Sequence, residues 1–147
     1  MSEQSLHKSE QAGLLRRLIA SVYDWLLVLA VIMVLSVPLV AFDNEAVAPG
    51  NPLYRIFLIA IAAVFFAGFW STRSQTLGMR AWRIKIETTS GGPVSFWRGL
   101  LRFFCACISV AAFGLGFLWI LVSPAGMSWH DSWSGTRLRQ LPKSAGA

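Results

Sequence analysis

The chain has 147 residues, 55% hydrophobic and only 14% charged, with a mean hydropathy of +0.56. Soluble domains carry about a quarter charged residues, so the polar surface of a water-soluble globule is missing. Thirteen Lys and Arg against seven Asp and Glu leave a net charge of +6, and its distribution along the chain says more than its sum.

Residues 1–17 form a polar N-terminal segment that carries Lys8, Arg16 and Arg17. It lacks the small-residue cleavage site of a secretory signal, and the apolar run that follows is too long for a signal core. Leu18–Phe42 is 25 residues long, and Asp24 is its only side chain charged at neutral pH. A membrane helix needs about 20 apolar residues, so this run is expected to span. A carboxylate in hydrocarbon is costly unless paired, protonated or hydrated, which makes Asp24 a functional candidate. Arg17 precedes it by two turns, roughly 10 Å, on nearly the same face. That is the limit of a direct contact, and Arg102 from another segment is an equal candidate partner. Asp24 is then either a proton or cation site or a structural ion-pair partner. As a cation site it would draw on the oxygens of Ser21 and Tyr23, which suit a hard cation.

The first connection, Asp43–Pro52, carries Asp43 and Glu45 and no basic residue. A second apolar run follows at Leu53–Trp70, interrupted only by Arg55. The connection from Ser71 to Arg102 then holds Arg73, Arg80, Arg83, Lys85, Arg98 and Arg102 against the single Glu87. Basic residues stay on the cytoplasmic side, which places the N-terminus and this connection inside and the short acidic loop outside. Within it, Gln75, Thr76 and Gly78 read as a turn, where Gln75 and Thr76 are secondary candidates for substrate contact. Arg80–Glu87 alternates, with Trp82, Ile84 and Ile86 on one face, and a Thr88–Gly92 turn follows, so a short strand or hairpin at the membrane surface is expected. Ser95 can cap a further helix in which Trp97, Arg98 and Arg102 meet the headgroups.

The third apolar run is Phe103–Val122. Cys105 and Cys107 lie two positions apart and point to different faces, so neither a disulfide nor a zinc site is expected. A single crossing fits the length but carries Arg137, Arg139 and Lys143 outside. A return at Gly114–Gly116 keeps them inside, and both the charge rule and the glycines favour it. Ser128 and Asp131 have capping-box spacing, Trp129 and Trp133 share a face, and Gly135 can stop that short helix. His130 is either a proton relay or a polar anchor between two tryptophans. Thr136–Leu141 reads as an extended exit and residues 139–147 as a flexible tail.

Three blocks in this order resemble the RDD family of bacterial membrane proteins, named for one arginine and two aspartates. RRLIASVYDWLL supplies Arg17, Ala20 and Asp24. SQTLGMRAWRIKIETTSGG matches a second block, with Ser74 where the family usually has Gly. WHDSWSGT supplies His130, Asp131, Gly135 and Thr136, and Arg102 takes the place of an Arg that precedes the last apolar stretch. The resemblance runs from Arg17 to about Leu138. It implies a membrane role with transport suggested, including alkali-cation/proton antiport for some members.

The expected architecture is an all-α polytopic membrane protein. Two helices span, a third apolar segment spans or re-enters, and a short cytoplasmic β element completes a single RDD-type domain over residues 18–138. The expected location is a bacterial inner (plasma) membrane, multi-pass, with a cytoplasmic N-terminus. The candidate charge cluster is Arg17, Asp24, Arg102 and Asp131, with Tyr23, Gln75, Thr76 and His130 secondary. Transport-related proton or cation handling is the leading function. The alternative is a non-transporting scaffold or accessory subunit that binds anionic lipid or a partner protein. Three short segments enclose little volume, so a transport route calls for a homo-oligomer or a membrane partner. No nucleophile elbow, phosphate loop or metal-spaced Cys/His set occurs, so no enzyme activity, cofactor or metal site is expected. Nucleic acid is not an expected partner, because the basic residues sit where membrane topology puts them; the anionic headgroups of the bilayer are.

Overall fold

The computed structural model of the chain describes residues 11–43 and 50–142. Most of the acidic first loop and the last five residues of the expected tail lie outside the described residues. Helix α1 runs over Leu14–Asp43 and α2 over Pro52–Arg73. Leu14–Pro38 and Pro52–Arg73, 25 and 22 residues, are long and apolar enough to cross a membrane. Asn51 starts α2, its side chain accepting from the Leu53 and Tyr54 N–H groups at 2.9 and 3.3 Å. Pro52 follows at a first-turn position, where its missing N–H costs nothing. Val22, Leu26 and Met33 of α1 and Ile56, Ile59 and Val64 of α2 are exposed, as helices solvated by lipid require.

A short helix α3 (Leu77–Ala81) leads into β1 (Ile84–Thr88), and Ser95 caps α4 (Phe96–Ala111). Ala112, Phe113 and Gly114 break the third apolar segment. Phe113 and Gly114 both hold positive φ, +55° and +77°. Beyond the break, α5 (Leu115–Leu118) and a 3-10 turn (Trp119–Leu121) set off at 106° to α4. Gly116 permits this fold-back, since a Cβ there would lie 2.1 Å from the Ser109 hydroxyl oxygen. With 16 residues, about 24 Å, α4 is too short to cross a hydrocarbon core of roughly 30 Å.

The chain then reaches α6 (Trp129–Ser134), where the expected capping box forms. Gly135, with φ +60°, ends it. The stretch expected to be an extended exit is a strand, β2 (Thr136–Gln140), antiparallel to β1 with Ile86 opposite Leu138 and Thr88 opposite Thr136. Because only the short α3 separates β1 from the end of α2, this pairing returns the chain to the end where the third segment began. Gln11 bridges Arg139, and the Ala12 N–H donates to the Leu138 carbonyl at 3.0 Å, so the N-terminal residues join the same end. Strand order therefore reaches Gln140, two residues into the expected tail.

Ile84, Ile86 and Leu138 pack with Ala12, Met79 and Val94 beneath the sheet, and Phe66, Trp70 and Phe103 continue that core between the helices. On the outer face the Arg137 Nε donates to Glu87 at 2.7 Å. Small residues let α2 and α4 approach closely: a Cβ on Gly99 would lie 3.1 Å from the Ala67 Cα. Close backbone packing of this kind supplies van der Waals contact where lipid removes the hydrophobic drive between helices.

Candidate functional site

The end of the bundle that carries the sheet also gathers the buried charges. Asp131, the third residue of α6, is fully buried. One carboxylate oxygen accepts from Arg17 Nη1 at 2.5 Å, and the other accepts from Arg102 Nη1. The Ser128 N–H donates to the same carboxylate at 3.2 Å, so one side chain both caps α6 and ties it to α1 and α4. Arg17 further donates from Nε to the Ala12 carbonyl at 2.7 Å. Arg102 donates to the Thr136 hydroxyl at 2.5 Å and lies over the Trp70 ring, 5.2 Å from its centroid. Burial by itself would raise the Asp131 carboxyl, but Arg102 and Arg17 outweigh it and hold the group well below the usual carboxylate range. Two guanidiniums on one carboxylate leave this cluster with an excess positive charge.

Asp24 does not join that cluster. The sequence reading expected four groups to converge, and three do. Asp24 is 3% exposed, and its carboxylate accepts from the Thr76 hydroxyl at 2.5 Å and the Gly78 N–H at 2.8 Å. The Thr76 oxygen accepts in turn from the Met79 N–H at 3.2 Å, as the N-cap of α3. The physical reason is proximity: α3 presses onto α1 so closely that a Cβ on Gly78 would lie 2.3 Å from the Ala20 carbonyl oxygen. Two neutral donors reach Asp24 there, whereas Arg17, two turns away, turns to Asp131. No ion pair with Asp24 forms among the described residues.

The secondary candidates divide. Thr76 is buried and touches Asp24 directly. Gln75 instead donates to the Ile84 carbonyl at 2.8 Å, fastening the turn to β1. Tyr23 is 54% exposed on the outer face of α1 and supplies no ligand to Asp24. The Ser21 hydroxyl donates to the Arg17 carbonyl at 2.8 Å. His130 is buried, not an interfacial anchor. Its Nε2 lies 3.0 Å from the Ser128 hydroxyl and its ring 4.6 Å from that of Phe117. Burial, with repulsion from Arg102 and Arg17 only partly opposed by Asp131, pushes its pKa down to about 3, so it is neutral at physiological pH. Arg102, expected at the headgroups beside Arg98, points inward, while Arg98 stays exposed. Cys105 is buried and Cys107 exposed, on different faces as expected.

A cavity of about 410 Å³ is lined by Asp24 and by both arginines that hold Asp131. Arg17, Ser21, Asp24, Trp70, Arg102 and His130 contribute its polar groups, and Phe66, Phe103 and Phe117 are among its apolar walls. Sequence reasoning missed Trp70, Gly78 and Thr136. Gly78 and Thr136 stood inside the quoted blocks, and their fixed place beside Thr76 and Asp131 was the available signal. Trp70 gave none, being one aromatic among many in an apolar run.

No curated protein and no solved structure matches the chain. The RDD family model matches residues 11–135, a span that takes in Arg17, Asp24, Arg102 and Asp131. The chain belongs to the RDD family.

Proposed function

We propose that the chain is a multi-pass protein of a bacterial inner membrane, with its N-terminus in the cytoplasm, and that it handles protons or alkali cations through Asp24. The supporting observation is the placing of that carboxylate. It is buried on a helix long enough to span, it borders a cavity, and among the described residues only the neutral donors Thr76 and Gly78 hold it. A carboxylate without a fixed counter-cation can exchange a proton or a metal cation, whereas one locked between two arginines cannot. Asp131, Arg17 and Arg102 then form the frame and Asp24 the working group. A single chain offers few polar groups along the route, so the transporting unit is a homo-oligomer or includes a membrane partner.

The test is cation-driven proton movement in liposomes that contain the purified chain and a trapped pH dye. Sodium or potassium pulses shift the internal pH with wild type, and Asp24→Asn abolishes the shift while Arg98→Gln does not. No shift with wild type, or an undiminished one with Asp24→Asn, refutes the reading. The basic surface at the sheet end favours a second reading, a non-transporting scaffold bound to anionic lipid. Arg16, Arg73, Arg80, Arg83, Lys85 and Arg98 are all exposed there, each worth about 1 kcal/mol against an anionic surface.

A further inference from the structure

Two residues that line the cavity carry polar atoms that neither the frame nor Asp24 uses. Trp70 is 8% exposed and His130 4%, both line the cavity, and the Trp70 Nε1 and His130 Nδ1 atoms are buried with no hydrogen-bond partner. Buried polar groups are normally satisfied, so each unpaired one calls for a partner. Arg102 adds to them. Both of its hydrogen bonds leave from Nη1, and its Nε and Nη2 hydrogens make none among the described residues. The Arg17–Asp131–Arg102 cluster carries one positive charge more than it neutralises. Apart from Arg17, Ser21 and Asp24 on α1, the rest of the lining is mainly apolar: Phe66 and Phe103 are part of it, and Val110 lies eight residues beyond Arg102 along α4, about 12 Å deeper. Donors and excess positive charge thus sit at one end, with an apolar slot beyond them.

We propose that this cavity binds an amphiphile with one apolar chain and an anionic oxygen head, the head at Arg102 and Trp70 Nε1 and the chain along Phe103 toward Val110. The volume lies within the roughly 300–1,000 Å³ of small-molecule sites. A carboxylate or phosphate oxygen accepts from both the guanidinium and the indole, and it offsets the unpaired charge. An uncharged head leaves that charge stranded, and a cationic head is repelled. The proposal does not rest on transport through Asp24, which borders the same cavity, and removing the Asp24 charge favours an anionic head.

Native mass spectrometry of the protein released from a nonionic detergent tests this with four probes: dodecanoate, dodecyl phosphate, dodecanol and dodecyltrimethylammonium. Dodecanoate or dodecyl phosphate forms a one-to-one adduct, and dodecanol and the ammonium bind at least tenfold more weakly. Preference between the two anions distinguishes a free fatty acid from a phospholipid source. Trp70→Phe, which keeps the ring and removes the donor, weakens binding about tenfold. Ala106 of α4 also lines the cavity, and Ala106→Phe, which fills the slot, removes binding with helical content unchanged by circular dichroism. Asp24→Asn binds at least as tightly as wild type, so a failure of cation transport leaves this result standing. Equal binding of dodecanol and dodecanoate, or undiminished binding in Trp70→Phe or in folded Ala106→Phe, overturns the proposal.

Discussion

Replacing Asp131 and Asp24 by Asn, one at a time, separates the two acidic centres by their energetics. Asp131 accepts from two guanidiniums and the Ser128 N–H, and its side chain is fully buried. An Asn in its place keeps one carbonyl oxygen and turns an NH₂ group toward a guanidinium, so two buried positive charges lose their anion. Removing one partner of a buried ion pair costs about 3–5 kcal/mol because the other is stranded. At about 1.4 kcal/mol per tenfold, that shifts the folding equilibrium by roughly two to three and a half decades. At Asp24 the donors are neutral. An amide oxygen still accepts from Gly78 N–H, and the Thr76 hydroxyl can rotate to accept from the amide. The loss there is only the difference between charged and neutral hydrogen bonds, about 1 kcal/mol. Equilibrium unfolding in mixed micelles, followed by tryptophan fluorescence and far-ultraviolet circular dichroism, measures both. Asp131→Asn within about 1 kcal/mol of wild type, or equal losses in the two variants, would refute the division between frame and working group.

Two further outcomes are expected. His130 ordinarily titrates near 6.5 and is pushed down to about 3 in the fold. Between those values the unfolded chain therefore binds a proton that the folded chain does not, and stability rises with pH by at most about 1.4 kcal/mol per unit. Unfolding midpoints between pH 4 and 6 show this slope in wild type and a flatter one in His130→Gln. Ser74, the left-handed C-cap of α2 with φ +55°, stands where glycine relieves a Cβ clash. Ser74→Gly then stabilises the fold by about 0.5–1 kcal/mol, read as a higher midpoint in the same unfolding assay.

The local features of the fold were legible because they rest on short-range rules. Apolar length announced the helices, and the spacing of Ser128 to Asp131 gave the capping box. The alternation in Arg80–Glu87 gave β1 only from Ile84 onward, since Arg80 and Ala81 belong to α3, whose Thr76 cap extends the helix past the expected turn, and the break near Gly114 followed from charge and glycine. What lay hidden were pairings over long sequence separations. Thr136–Gln140 shows no signal that it will pair with Ile84–Thr88, because register is decided by what the sheet buries. The same holds for the charges. Position in the sequence brought Arg17 and Asp24 within reach of each other, yet the return of the third segment delivered Asp131 to Arg17, and α3 delivered Thr76 and Gly78 to Asp24. Sequence could name the participants but not their partners.

The return of the third segment is the claim on which the rest depends, since only a chain that comes back can give Arg17 and Arg102 one shared aspartate. Paired reporters at each terminus measure it directly in cells. Green fluorescent protein stays bright on the cytoplasmic side, and alkaline phosphatase is active only outside it. The account predicts fluorescent fusions and inactive phosphatase at both the N-terminus and the C-terminus. A C-terminal phosphatase that is active, with the matching fluorescent fusion dark and the N-terminal one bright, would contradict it.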